Sequence, residues 1–185
     1  MKSRSLFAVL FALSSFAAAA SAQNKAVNFS GTWELDVARS KLGERSMIES
    51  QTLTVSQTDK DITIQTATRR TPPPASSAGI ERRGGRGGGF GGGDNNVTYT
   101  LDGKETRTEI EGRMGKIPVT RKAKIEIGKL QLSSSSTFSG PNGDVTNSSK
   151  ENWELSADGK TLTINAEREG MRGTGSTTRV YTKKQ

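Results

Sequence analysis

The chain has 185 residues and neither a cysteine nor a histidine among them. Without cysteine there is no disulfide, no thiol nucleophile and no thiolate metal ligand, so stability must come from the packed core alone. Without histidine the chain loses the commonest general base, the commonest transition-metal ligand and the usual pH switch. A Ser-His-Asp triad and a histidine-based zinc site are both excluded. Aromatics make up 5% of the chain, and three of the five prolines are consecutive, Pro72-Pro73-Pro74. No paired Asp/Glu stands out as an acid–base couple. The expectation is therefore a non-catalytic protein with no metal and no cofactor.

The one compact apolar run, Leu6 to Leu13, lies at the start of the chain behind Lys2 and Arg4 and ahead of Ala20-Ser21-Ala22. A basic start, a short apolar core and an A-x-A site together read as a secretory signal peptide over residues 1–22, cleaved before Gln23. An uncleaved anchor fits less well, because a spanning helix needs about 20 apolar residues. The expected localisation is exported, periplasmic or extracellular. The whole chain carries a formal charge of +8, which falls to +6 once the two leader cations are removed. That balance biases association toward anionic surfaces without naming one.

What the rest of the chain does contain is short alternating segments. In Asn28-Phe29-Ser30-Gly31-Thr32-Trp33-Glu34-Leu35, Trp33 and Leu35 share one face and Thr32 and Glu34 the other, the period-two pattern of a half-buried strand. Leu53 and Val55, Ile62 and Ile64, Val97 with Tyr99 and Leu101, Leu130 and Leu132, Trp153 and Leu155, and Leu162 with Ile164 repeat that pattern. Thr58-Asp59-Lys60, Asp102-Gly103, Gly128-Lys129, Asn142-Gly143 and Asp158-Gly159 punctuate it as turns, read as hairpins where two strands flank them. Val37 to Leu42 loses alternation and suggests a short helical turn ended by Gly43. Gly170 to Gly175 reads as a looser stretch before a final strand, Thr177 to Thr182.

One segment breaks the pattern. Residues 71–95 hold the triple proline, the small-residue run Ala75 to Gly79 and the sequence Glu81-Arg82-Arg83-Gly84-Gly85-Arg86 followed by a glycine-rich stretch around Phe90. Triple proline is stiff, and poly-glycine cannot recover its ordering entropy by burial. This reads as a disordered insertion within one domain spanning residues 23–185, since neither flank alone is large enough to build a core. Arg82, Arg83 and Arg86 with Phe90 look like an RGG segment. Behind an export signal, contact with an anionic envelope component fits better than nucleic acid, and a solvated loop fits best. The glycine run is not a nucleotide fingerprint, because no helix follows it. Glu105, Glu109 and Glu111 alternate on one strand face and read as a solvated outer surface. Asn28, Asn96 and Asn147 begin N-x-[ST] sequons, which matter only in a glycosylating host.

Nine or ten short strands joined mostly by hairpins, with almost no helix, predict an all-β antiparallel up-and-down barrel of about eight to ten strands. Closure would pair the first strand with the last and remove exposed edges. Those two strands also carry a resemblance. Phe29-Ser30-Gly31-Thr32-Trp33-Glu34-Leu35 is similar to the opening of fatty-acid-binding proteins and to the G-x-W signature of lipocalins. Thr178-Arg179-Val180-Tyr181-Thr182-Lys183 is similar to the closing strand of fatty-acid-binding proteins. Together with the hairpin Ala157 to Thr163, the chain resembles exported bacterial lipocalin-like proteins of the calycin superfamily.

That resemblance implies a calycin-like barrel that binds a small apolar or amphiphilic ligand. In the family, the last-strand arginine and tyrosine can grip a fatty-acid carboxylate, which maps onto Arg179 and Tyr181. Residues two apart in a strand face the same side, and a guanidinium with a phenol offers a planar fork plus one more donor. The alternative, also implied by the family, is structural: Gly31, Trp33 and Arg179 close the barrel, with the arginine over the indole face. Two features depart from the family. The span Ala38 to Ser46 is too short for a two-helix lid, and the Pro/Gly/Arg insertion has no counterpart. Strands rich in Ser and Thr, such as Ser133 to Thr137, suggest an interior that is partly polar or filled. The rival overall reading is a filled barrel acting as a structural or interaction module of the envelope through its basic insertion.

Overall fold

Ten antiparallel strands carry the alternation: β1 (Gly31–Leu35), β2 (Ile48–Gln57), β3 (Asp61–Arg70), β4 (Asn95–Thr100), β5 (Thr106–Gly112), β6 (Gly115–Glu126), β7 (Lys129–Gly140), β8 (Gly143–Leu155), β9 (Thr161–Gly170) and β10 (Gly173–Lys183). The structure is a computed structural model that describes residues 27–43, 46–71, 95–112, 115–126, 128–140, 143–171 and 173–184. The expected signal peptide, residues 1–22, and nearly all of the expected insertion lie outside these residues. The insertion's two ends, Thr71 and Asn95, belong to the barrel. Thr71 N–H donates to Met47 C=O at 2.9 Å, and Asn95 pairs with Thr66.

The sheet order is β4-β3-β2-β1-β10-β9-β8-β7-β6-β5. Every ladder is antiparallel, and the first strand meets the last through Trp33 opposite Lys183 and Leu35 opposite Tyr181. That ladder wraps the meander into a nearly closed barrel. One seam stays open, because β4 and β5 end the sheet on either side of the Asp102-Gly103 turn. The turn forms, with Lys104 N–H donating to Asp102 Oδ1 at 2.9 Å, but the strands it joins diverge instead of making the expected hairpin. A side-chain bond, Thr100 Oγ1 to Thr106 Oγ1 at 2.9 Å, spans the base of the seam.

Other expectations shift in detail. The segment after β1 makes a hydrogen-bonded turn, Ser40 N–H to Val37 C=O at 3.3 Å, and not a helix. Lys41 then bridges Thr178 and holds this segment against β10. The stretch Gly170 to Gly175 is no loose connector. Its described residues form the tip of the β9–β10 ladder, paired from Gly173 opposite Gly170. The hairpin after β8 behaves as its sequence suggests. Gly159 adopts φ +67°, and Asp158 accepts from Lys160 N–H at 3.0 Å and from the Ser156 hydroxyl, a turn in which the left-handed step costs glycine nothing.

Apolar side chains concentrate toward one end of the barrel. Trp33, Trp153, Phe29, Leu130, Leu162 and Tyr181 are all essentially inaccessible to solvent. Phe29 meets Trp153 edge-on at 6.1 Å, a favoured aromatic geometry. The Trp33 indole N–H donates to Phe29 C=O at 3.0 Å, so the buried ring leaves no polar atom unpaired. Gln57 ties the entry chain to the same end, accepting from Phe29 N–H and donating to Val27 C=O, both at 2.9 Å. Each buried large side chain contributes roughly 1.5–3 kcal/mol, which is how a chain without disulfides sustains the fold.

Candidate functional site

Toward the other end of the barrel the inward positions change character. Period two carries the inner face of β8 from Leu155 and Trp153 to Glu151 and Ser149. It carries β9 from Ile164 to Arg168, and β10 from Tyr181 to Arg179. Of these, Ser149, Glu151, Trp153, Ile164, Arg168 and Arg179 line a cavity of about 440 Å³. Its apolar wall includes Leu53, Ile64, Val97, Leu132, Trp153 and Ile164, and its polar wall includes Tyr99, Arg121, Ser134, Glu151, Arg168 and Arg179.

Glu151 is the hub. One of its oxygens, Oε1, accepts from Arg179 Nη2 at 2.8 Å and lies 3.9 Å from Arg168 Nη2. The other, Oε2, accepts from the Trp153 indole N–H at 2.9 Å. The Arg179 side chain is 12% exposed, that of Glu151 20% and that of Arg168 38%. Burial opposes the charge on Arg179, but Glu151 and Tyr181 outweigh it and hold the guanidinium above its ordinary value. Arg168 is lowered by burial and by the like charge of Arg179. The Nε–H groups of both arginines are buried without a partner. Such groups normally find one, because an unpaired buried donor costs about 1–3 kcal/mol.

Tyrosine and glutamine complete the surroundings. Tyr99 lines the cavity with its phenol pushed up to about 12, first by burial and then by the Glu151 charge. The Tyr181 hydroxyl donates to Gln51 Oε1 at 2.6 Å, and Gln51 Nε2 donates to Thr68 Oγ1 at 2.8 Å. Burial pushes Tyr181 up to about 12 as well. Among the described residues no group of three or more Asp and Glu side chains is placed to hold a metal ion.

Ten antiparallel strands in sequence order, closed by β1 against β10, decide the architecture. The fold is a calycin-like barrel. No protein-family model and no curated protein matches the chain. Among solved structures, the zebrafish ileal bile acid-binding protein complexed with cholic acid is similar to it, at 18% sequence identity over 84% of this chain and 98% of that chain, with a TM-score of 0.47.

Within this calycin-like barrel the residues singled out from the sequence are distributed as follows. Arg179 lines the cavity, bonded to Glu151. Tyr181 shares its side of β10 but lies deeper, fully buried and engaged by Gln51, so it supports the cavity floor and does not line it. Trp33 sits in the β1–β10 closure, whereas Gly31 pairs with Val55 of β2 and has the Lys183 side chain close to it. The cation over the Trp33 indole is Lys183, 5.2 Å from the ring centroid, and not Arg179. Register explains the difference. Trp33 is opposite Lys183, and Arg179 is four residues back, about 13 Å along the strand at roughly 3.3 Å per residue. Gly31 has φ +137°, and an added Cβ would lie 2.8 Å from Lys183 Cε. Arg82, Arg83 and Arg86 lie outside the described residues.

Glu151, Arg168, Tyr99, Arg121 and Gln51 were not singled out from the sequence as site residues. The signal was present. Glu151 is two residues before Trp153, and Arg168 continues the inward series Leu162, Ile164, Ala166. A charged residue on an inward face is the anomaly that marks a site.

Proposed function

We propose that this chain binds a small amphiphilic molecule inside its barrel, without catalysis, and does so after export. The observation that carries the reading is the pair of buried, unpartnered Arg168 and Arg179 Nε–H groups beside an apolar wall. Such a wall suits a hydrocarbon body, and the arginines suit a polar head that accepts hydrogen bonds. A volume of about 440 Å³ falls within the range of small-molecule sites. Among the described residues the interior offers no nucleophile beside a base and no pair of free carboxylates, so it is equipped to hold a molecule and not to transform one. Export rests on the basic, apolar and A-x-A pattern of residues 1–22.

The test is displacement of a fluorescent fatty-acyl probe from the mature protein, residues 23–185, compared with Ser134→Phe, which fills the cavity from β7. Saturable uptake that the filled variant loses while keeping its β-sheet circular dichroism supports the reading. Absence of uptake by the unmodified protein overturns it.

A further inference from the structure

The charges that line the cavity do not balance. Arg168 and Arg179 supply two positive charges, and Glu151 supplies one negative charge that both arginines face. The Glu151 carboxylate is engaged on both oxygens, Oε1 by Arg179 and Oε2 by the Trp153 indole. Among the described residues, the buried side-chain donors left unpaired are the two Nε–H groups. Arg121 and Glu111 also line the cavity, but Glu111 is exposed and the Arg121 guanidinium is drawn to the Thr108 hydroxyl at an exposed position; being of opposite sign, they leave the excess of one positive charge unchanged.

We infer that Glu151 is a built-in counter-ion that sets the head-group charge of the ligand: with Glu151 in place, the cavity is matched to an amphiphile bearing a single negative charge. Such a head group would complete Arg168, Glu151 and Arg179 into a neutral quartet and give the Nε–H donors their acceptors. A dianion overcharges the cluster in the opposite sense, and a cation meets an uncompensated arginine. A neutral head satisfies donors but leaves the excess charge. Glu151 thus acts as a specificity residue, excluding the double charge that two bare arginines would favour. This inference rests on the amphiphile reading above and adds the charge of the head group to it.

The experiment compares three probes of equal chain length on the mature protein: dodecanoate, dodecanol and dodecyl phosphate, the last carrying nearly two charges at about pH 8. Unmodified protein is expected to bind dodecanoate about tenfold or more tighter than either of the others, the scale of one charge contact in a partly buried site. Glu151→Gln is expected to shift the phosphate-to-carboxylate preference by about tenfold toward dodecyl phosphate. Arg168→Gln removes the excess charge and is expected to erase the advantage of dodecanoate over dodecanol, which keeps the inference testable if Glu151→Gln does not fold. Equal binding of dodecanol and dodecanoate, or preferences unchanged in a folded variant, overturns the inference while leaving the amphiphile reading intact. Binding of none of the three overturns both.

Discussion

Replacing Arg179 with Met removes the guanidinium but keeps an unbranched apolar side chain in its place. What remains is the Glu151 carboxylate, 20% exposed, with the Trp153 indole N–H on one oxygen and Arg168 at 3.9 Å from the other. Breaking a fully buried ion pair by removing one partner costs about 3–5 kcal/mol, because the remaining charge stays desolvated. Here Arg168 can close part of the gap and Glu151 keeps some water, so the expected loss is about 2–3 kcal/mol. At roughly 2–4 °C per kcal/mol for a domain of this size, the melting temperature should fall by about 4–12 °C. The paired change Arg179→Met with Glu151→Gln removes both the orphaned charge and its cause, and should recover about 1 kcal/mol or more relative to Arg179→Met alone. Urea unfolding of the three variants, read by tryptophan fluorescence and by circular dichroism, gives the cycle. An Arg179→Met loss below about 0.5 kcal/mol, with additive behaviour in the pair, would refute the buried-pair reasoning.

The only two tyrosines, Tyr99 and Tyr181, are both pushed up to about 12 by burial. Alkaline titration of the folded protein should therefore show almost no phenolate near pH 10, where the unfolded chain shows half. Because the native state holds protons that the unfolded state releases, this contribution to stability is complete below pH 10 and is lost between pH 10 and about 12. A normal phenolate midpoint in the folded protein contradicts both burial assignments. Trp33 and Trp153 are the only tryptophans and are 0% and 1% exposed, so emission should be blue-shifted and insensitive to iodide. Red, quenchable emission would place at least one indole in water. Trp33→Ala should destabilise by about 3–5 kcal/mol in urea unfolding, and a loss under about 1 kcal/mol would remove Trp33 from the core. Gly31→Ala should cost more than about 1 kcal/mol, since its φ is strained for any L side chain and its Cβ would press on Lys183. Unchanged unfolding would show that the β1–β10 closure tolerates a shift there.

Most of the barrel could be read from alternation, because a half-buried strand writes its geometry directly into the sequence. Trp33 with Leu35, Leu53 with Val55 and Ile62 with Ile64 all face the core, and the Asp158-Gly159 turn lies where its residues suggest. Departures arose where a local signal was outvoted by partners distant in sequence. Asp102-Gly103 is a good turn, but turn chemistry cannot say that β4 prefers β3 and β5 prefers β6 on both sides of a seam. Gly170 to Gly175 has little strand propensity, yet the ladder between β9 and β10 runs to its tip because two long strands already fix the register.

The site was half legible. Arg179 stood out through family resemblance, but its partner could not be named, because pairing Glu151 with Arg179 depends on β8 and β10 lying on either side of β9. Assigning the cation over Trp33 to Arg179 failed for a related reason. The strand sequence gives the face of a residue but not its height in the barrel, and height is what selects Lys183. Glu151 and Arg168 needed only the period-two rule carried two residues past the last apolar side chain.

The central claim is an amphiphile held in the cavity by the Arg168–Glu151–Arg179 cluster. Native mass spectrometry of the protein purified from its own host, followed by organic extraction, tests it most directly. The account expects a near-stoichiometric adduct, released by solvent, with an apolar body and a single acidic group. A clean unliganded mass, with no uptake when dodecanoate is added, would contradict it.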